Sequence, residues 1–177
     1  MLNIGDTVVF GTEGIFVIEQ TTQQVVCGQK TDYYVLRSTN KDSSTVYLPM
    51  NNPALLQRAR PLITEEEIGD LLSDAAHTEI HWVDDHKARK ERFNEILQSG
   101  DRKGILALAG TLYHKQQAQL AVHKKLNSSD ERILREAEKI INAEVAFVLH
   151  ITPDEAKAYV RDHIGAARGS SSAGAAE

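Results

Sequence analysis

The sequence predicts an α+β protein, with a small, bent antiparallel β-sheet or barrel followed by an all-α helical domain. Three observations predict this. Up to about residue 50, short β-branched and aromatic runs alternate with turn residues. After Pro61, apolar residues recur at helical spacing. Beyond Gly165, the residues are mostly small or polar. We therefore assign a β domain to residues 1–60, a helical domain to 61–165 and a disordered tail to 166–177.

The first 50 residues contain five predicted strands, each a short apolar run rich in β-branched and aromatic residues. The strands are predicted over 7–10, 14–18, 24–27, 33–36 and 45–48. Gly, Asn, Asp and Ser, which turns require, separate the runs, and Pro49 ends the last one because it cannot donate to a ladder. So many strands in so few residues favour a small, strongly bent sheet or barrel.

Five helices are predicted after Pro61. Thr64 and Glu67 form a capping box for a helix over about 65–74. The next helix should run from about 84 to 98 and end at Gly100, whose freedom to adopt positive φ suits a helix end.

Asp101 should cap the third helix, which carries apolar residues at three-and-four spacing. The fourth is predicted to begin at Ser128, with Glu131 completing a second capping box. Thr152 followed by Pro153 marks the start of the fifth.

Net charge is unevenly distributed along the chain. The total is −5, from 25 acidic and 20 basic residues, but residues 61–85 carry −8 and residues 86–139 carry +5. The total alone argues against a nucleic-acid partner. The basic segment is either the solvated faces of amphipathic helices or a surface that meets an anionic partner.

Several functional classes lack their sequence signals. No apolar run is long enough to span a membrane and no secretory signal is present, so we expect a cytoplasmic protein without a membrane partner. Cys27 is the only cysteine, and the spacing of His77, His81 and His86 matches no metal motif. With no phosphate loop or nucleophile motif either, we expect neither an enzyme, nor a cofactor, nor a bound metal.

Trp82, the only tryptophan, precedes a helix that carries Lys87, Arg89, Lys90 and Arg92. Two interpretations remain open. The ring can be a hydrophobic staple that anchors the start of the helix. Alternatively, it is an exposed wedge that inserts at a weakly stacked base step while the neighbouring cations bind phosphates.

Arg89 and Glu144 are charged residues on predicted apolar helix faces. Arg89 shares a face with Phe93 and Ile96, and Glu144 lies on the stripe that includes Ile141 and Val148. Because a buried unpaired charge is costly, each needs a partner. We predict that the two form a structural ion pair or join one hydrogen-bonded network between two helices.

The order of the motifs resembles the CarD/CdnL family of bacterial transcription regulators. The N-terminal resemblance is carried by residues 4–10 (IGDTVVF), 33–36 (YYVL) and 45–49 (TVYLP), which are similar to a domain shared with transcription-repair coupling factor. The helical part is similar at Trp82 and at residues 87–89 (KAR), 99–101 (SGD), 112–113 (LY), 129–132 (SDER) and 136–139 (EAEK). The resemblance covers about residues 1–164.

This resemblance implies a Tudor-like domain that docks on the β subunit of RNA polymerase, in part by adding its sheet to a β-subunit strand. The polymerase-binding residues it implies are Tyr33, Val35, Thr45, Val46, Tyr47, Leu48 and Pro49. Where several relatives carry a basic residue in the last strand, this chain has Tyr47. We therefore expect a docking contact that is more apolar and less sensitive to salt.

The resemblance also implies that the helical domain meets promoter DNA at the upstream edge of the transcription bubble, without reading a particular sequence, and stabilises the open complex. The DNA-binding residues expected on this basis are Trp82, His86, Lys87, Arg89, Lys90 and Arg92. Trp82 is the expected wedge, although an ungapped alignment with actinobacterial members places His86 near that position. We expect a monomer.

Two alternatives to DNA contact remain open at the sequence level. One is an adaptor that docks on polymerase while its helical part binds another protein. The other is a hydrolase that uses the histidines of residues 77–86. A dry, closed surface around those histidines would exclude the second.

Overall fold

The computed structural model describes residues 2–40 and 44–173, with side chains described as far as Ile164. The chain divides into two compact units, residues 1–62 and residues 63–177, here called the N-terminal unit and the helical unit. A five-stranded antiparallel sheet is followed by a helical region, as an α+β fold class predicts.

The sheet of the N-terminal unit has the strand order β4-β3-β2-β1-β5. Its strands are β1 (Thr7–Phe10), β2 (Gly14–Val26), β3 (Gln29–Ser38), β4 (Thr45–Pro49) and β5 (Ala59–Pro61), with a short helix α1 (Pro53–Leu56) before β5. Neighbouring strands run antiparallel throughout. The main apolar cluster lies on one face, where alternate residues of each strand meet; it contains Val8, Phe10, Phe16, Ile18, Leu36, Leu48 and Ala59. On the other face Val9, Ile15 and Val35 are buried as well.

Two strand predictions were wrong: the predicted strands over 14–18 and 24–27 belong to a single long β2, and β5 was not predicted. The register shifts between Ile18 and Gln20, and the strand then pairs with β3 as far as Val26. Residues 19–23 are polar and largely exposed, so no apolar alternation signalled a strand there. The hairpin closes in two residues, Cys27 and Gly28, whose φ angles are 52° and 77°.

The helical unit contains five helices. They are α2 (Glu65–Ala76), α3 (His86–Ser99), α4 (Arg102–Ala121), α5 (Ser128–Leu149) and α6 (Pro153–Ala173). Their apolar faces form one buried cluster whose most enclosed side chains include Ile68, Leu72, Phe93, Ile105, Leu108, Leu112 and Ile133. This core holds together the helices that position the candidate site.

Local capping residues define most of the helix ends. The Thr64–Glu67 capping box, the left-handed cap at Gly100 and the Asp101 cap are confirmed. The predicted start of α5 at Ser128 is confirmed, but the predicted capping box of Ser128 and Glu131 is wrong. The N-cap is Asn127, whose side chain accepts a hydrogen bond from the Asp130 N–H at 2.9 Å. Asparagine is as good an N-cap as serine.

The last helix enters the segment predicted as a disordered tail, residues 166–177. Its backbone is helical as far as Ala173, and residues 174–177 lie outside the described residues. Ala166, Ala167 and Arg168 favour helix, whereas Gly165, Gly169 and the serines at 170–172 do not, which is why the sequence did not predict this extension.

Candidate functional site

The outer edge of β4 carries unpaired backbone groups. At one end of the strand Ser38 N donates to Ser44 O, and at the other Met50 N donates to Asp32 O, both at 2.9 Å. Because hydrogen-bonded positions alternate in an antiparallel pair, Thr45 and Tyr47 direct their N–H and C=O groups away from β3. No described strand pairs on that side. We call these groups the free edge of β4.

The side chains predicted to bind polymerase do not all reach the surface. Val35 and Leu48 are 3% and 1% exposed, so they are interior residues and not contact residues. Tyr47 is 52% exposed and lies opposite Val35 in the β3–β4 register. Thr45 is exposed, and Tyr33, Val46 and Pro49 are half-buried.

A cation beside β4 was not predicted. Arg37 lies opposite Thr45 and pairs with Glu19 at 2.5 Å, both side chains being exposed. The hydrogen bond from Arg37 to Glu19 and the charge of that carboxylate raise the pKa of Arg37 above its usual value. The register, which the sequence alone does not give, places this pair beside β4.

Trp82 is half-buried and packs against the core of the helical unit. Its ring meets Phe93 edge-to-face with centroids 6.1 Å apart. The Arg89 guanidinium carbon lies 4.4 Å from the ring centroid, and the Lys115 Nζ lies 4.6 Å from it. The ring therefore anchors the segment before α3, as the staple interpretation requires, and keeps part of its surface in contact with solvent.

Arg89 is a buried structural residue, and two predictions for it were wrong. It is 6% exposed, so it is not available to bind DNA phosphate. It also does not pair with Glu144: its guanidinium binds both carboxylate oxygens of Asp130, at 3.0–3.4 Å, and donates to the carbonyls of Val83 and Asp84. One side chain thus links α3, the start of α5 and the segment that follows Trp82.

Glu144 has different partners. One of its oxygens accepts hydrogen bonds from Arg102 at 2.5 Å and from the Ile63 N–H at 2.9 Å. It follows Asp130 by 14 residues on α5, about 21 Å along the helix axis. That separation is why the predicted Arg89–Glu144 pair does not form, although each charge has the partner that its burial demands.

The exposed bases of α3 do not form one continuous patch. Lys87 and Lys90 are exposed about 60° apart around the helix, whereas Arg92 lies about 140–160° from both. Exposed Glu91 and Glu95 fall between Lys87 and Arg92. The side chain of His86 is also exposed, at the first turn of the helix.

Three partners of the predicted site residues were not themselves predicted. They are Asp130, which binds Arg89; Arg102, which binds Glu144; and Lys115, which lies over Trp82. A signal for Asp130 existed, since it precedes Ile133 and Ala137 at three-and-four spacing and so lies on the apolar stripe of α5. Arg102 and Lys115 carry no such signal. Each is one of many bases, and only tertiary packing brings them to Glu144 and Trp82.

The described residues contain no group of three or more histidine, cysteine, aspartate or glutamate side chains able to hold a metal ion. His77, His81 and His86 are all exposed. Within the same part of the chain, none of the helices combines the length and the apolar character needed to cross a bilayer.

Comparison with known families identifies the N-terminal unit. Residues 2–60 match the family model described as the CarD-like/TRCF RID domain. The match covers β1 to β4, including the free edge of β4, and the first two residues of β5.

Proposed function

Because residues 2–60 are a CarD-like/TRCF RID domain, an RNA-polymerase-interacting domain, we propose that this chain is a non-enzymatic regulator of bacterial transcription. It binds the β subunit of RNA polymerase through the N-terminal unit. Its helical unit contacts promoter DNA at the upstream edge of the bubble and stabilises the open complex. With polymerase as its partner, the protein acts in the cytoplasm.

The free edge of β4 is the observation that best supports this docking mode. Unpaired N–H and C=O groups at an edge strand can accept a strand from another chain, which supplies affinity through backbone hydrogen bonds. Tyr47 stands exposed beside these groups, and the buried Leu48 anchors the strand in the core of the N-terminal unit. The contact we propose is therefore backbone pairing on β4 with Tyr47 as its side-chain anchor.

DNA contact in this proposal depends on Trp82, His86, Lys87, Lys90 and Arg92. The half-buried Trp82 ring is held by contacts with Phe93, Arg89 and Lys115. Because the ring is already ordered, it would lose little conformational entropy on inserting into DNA. A weak DNA contact suffices, because polymerase binding supplies a high local concentration. Arg89 acts only by positioning the segment that carries Trp82.

Tyr47→Pro tests the docking mode. Proline lacks the N–H that Tyr47 directs outward, yet it removes no hydrogen bond to β3, so the sheet should remain folded. We expect the affinity for the polymerase β subunit to fall at least tenfold, measured by titration with the purified subunit.

Tyr47→Val is the matched control, because it keeps the outward N–H and removes only the ring. It should lose less affinity than Tyr47→Pro. If a folded Tyr47→Pro chain binds the β subunit as the unchanged protein does, docking does not use this edge.

A further inference from the structure

A cavity of about 190 Å³ lies among α4, α5 and α6, and neither Trp82 nor a residue of α3 lines it. Its walls are chiefly apolar, formed by Leu106, Ala109, Ala137, Ile141, Val160 and Ile164, with polar side chains that include His114. The small side chains of the two alanines leave room between the helices. An apolar cavity of about 150 Å³ is known to hold benzene, so this one has room for a slightly larger ring.

Asn142 supplies a polar group to this apolar cavity. The residue is only 8% exposed and lines the cavity, and its side-chain amide makes no hydrogen bond to any residue that the structure describes. The amide can both donate and accept hydrogen bonds, and neither capacity is used by another residue that the structure describes. A guest in the cavity that carries one hydrogen-bonding group can therefore pair with Asn142.

The charged residues at the cavity favour an uncharged guest. Lys157 is paired with Glu138 at 2.8 Å, and the Arg161 guanidinium lies over the Tyr113 ring, 5.5 Å from its centroid. Both cations are therefore engaged already. A charged ligand would have to leave water for apolar walls, whereas a neutral ring with one polar atom would not.

We propose that this cavity is a binding site for a small, uncharged, chiefly apolar ring compound that carries one hydrogen-bonding group, with Asn142 as the residue that recognises that group. Because the cavity is lined by α4, α5 and α6, the bound compound stabilises the helical unit against unfolding. None of the residues proposed to contact polymerase or DNA lines this site.

Indole and indene test the proposal, since they share a shape and differ in the N–H that only indole carries. Binding is followed by amide chemical-shift changes of the full chain in NMR titrations. Indole should bind roughly five- to tenfold more tightly than indene, the difference expected of one hydrogen bond. Asn142→Leu, which has a similar shape, should abolish that difference while indene still binds.

Ala109→Leu fills the cavity and should prevent the binding of both compounds. Ala121→Leu makes the same change at an exposed position of α4, outside the cavity, and should leave binding unaltered. Circular dichroism establishes that each variant is folded; should Ala109→Leu not fold, Asn142→Leu decides alone. The proposal is wrong if indole leaves the resonances of the cavity residues unchanged, if folded Ala109→Leu still binds, or if Asn142→Leu retains the preference for indole.

Discussion

Arg89 shows how one buried charge can organise a surface that it does not itself form. Its guanidinium binds Asp130 and two carbonyls and lies over Trp82. These contacts satisfy the donors of a side chain that is 7% exposed. The residue thereby fixes the segment that carries Trp82 without contacting a partner.

Arg89→Met is expected to destabilise the helical unit by about 3–5 kcal/mol, because it leaves the Asp130 carboxylate buried without its cation. Urea unfolding followed by Trp82 fluorescence measures this, since the only tryptophan lies in the helical unit. Arg92→Met, on the exposed face of α3, should change the stability by less than about 0.5 kcal/mol.

A second variant separates the effect of the broken ion pair from that of altered packing. Adding Asp130→Leu to Arg89→Met removes the stranded charge and should restore much of the stability. A single Arg89→Met variant as stable as the Arg92→Met control would contradict the structural role assigned to Arg89.

The burial of Arg89 and Glu144 could be predicted from helical spacing, but their partners could not. Spacing along one helix says which face a residue occupies. It does not say which residue of another helix lies opposite, since that depends on where along their axes two helices cross. Asp130 could have been found because it lies on the apolar stripe of α5, whereas Arg102 could not.

At the scale of the elements, local chemistry predicted the helices better than the strands. Caps such as Thr64 and Gly100 act within one turn, so the sequence contains the whole signal. The middle of β2 is polar, and its pairing with β1 ends at Val17, before this stretch begins; β5 has only three residues. Strands of this kind are specified by their pairing partners and not by their own pattern.

The capping box of α2 makes a pH-dependent prediction. Hydrogen bonds from the Thr64 backbone and side chain lower the pKa of Glu67 below its usual value. Stabilisation from this carboxylate is therefore complete above the unfolded pKa of about 4.3 and is lost as pH falls through the lower folded value. Glu67→Ala should lower the melting temperature at pH 7, and the difference from the unchanged protein should shrink below about pH 4.

Glu66→Ala is the matched control, because Glu66 is an exposed carboxylate in the same helical turn but takes no part in the capping box. It should alter the melting temperature less at pH 7, measured by Trp82 fluorescence. A difference for Glu67→Ala that stays constant from pH 7 to pH 3 would contradict the capping role.

At the scale of the whole molecule, the net charge of −5 disfavours tight binding to free DNA. The bases of α3 are few and are interrupted by acids, so free DNA should bind weakly. In the proposed function, polymerase binding through the N-terminal unit supplies the local concentration that a weak DNA contact requires.

Reversing Lys87, Lys90 and Arg92 to Glu tests the DNA half of the proposal. Promoter complexes should dissociate at least fivefold faster, because up to three phosphate contacts become repulsive. The salt dependence of the lifetime should weaken by about one unit of log–log slope for each phosphate that is no longer bound. Binding to the isolated β subunit should not change.

The control variant replaces Arg135 and Lys139, two exposed bases of α5, with Glu. It should leave the lifetime of the promoter complex nearly unaltered. If the α3 variant also keeps its full effect on promoter complexes, the helical unit does not contact DNA. That result would favour the adaptor alternative, in which this unit binds another protein.

The tight turn between β2 and β3 places Cys27, the only cysteine, exposed at the tip of the ribbon. The N-terminal unit therefore offers a single thiol for a maleimide dye, and the helical unit offers a single tryptophan, Trp82, that can be excited apart from the tyrosines. Energy transfer between the two can report the separation of the units in solution without any engineered residue.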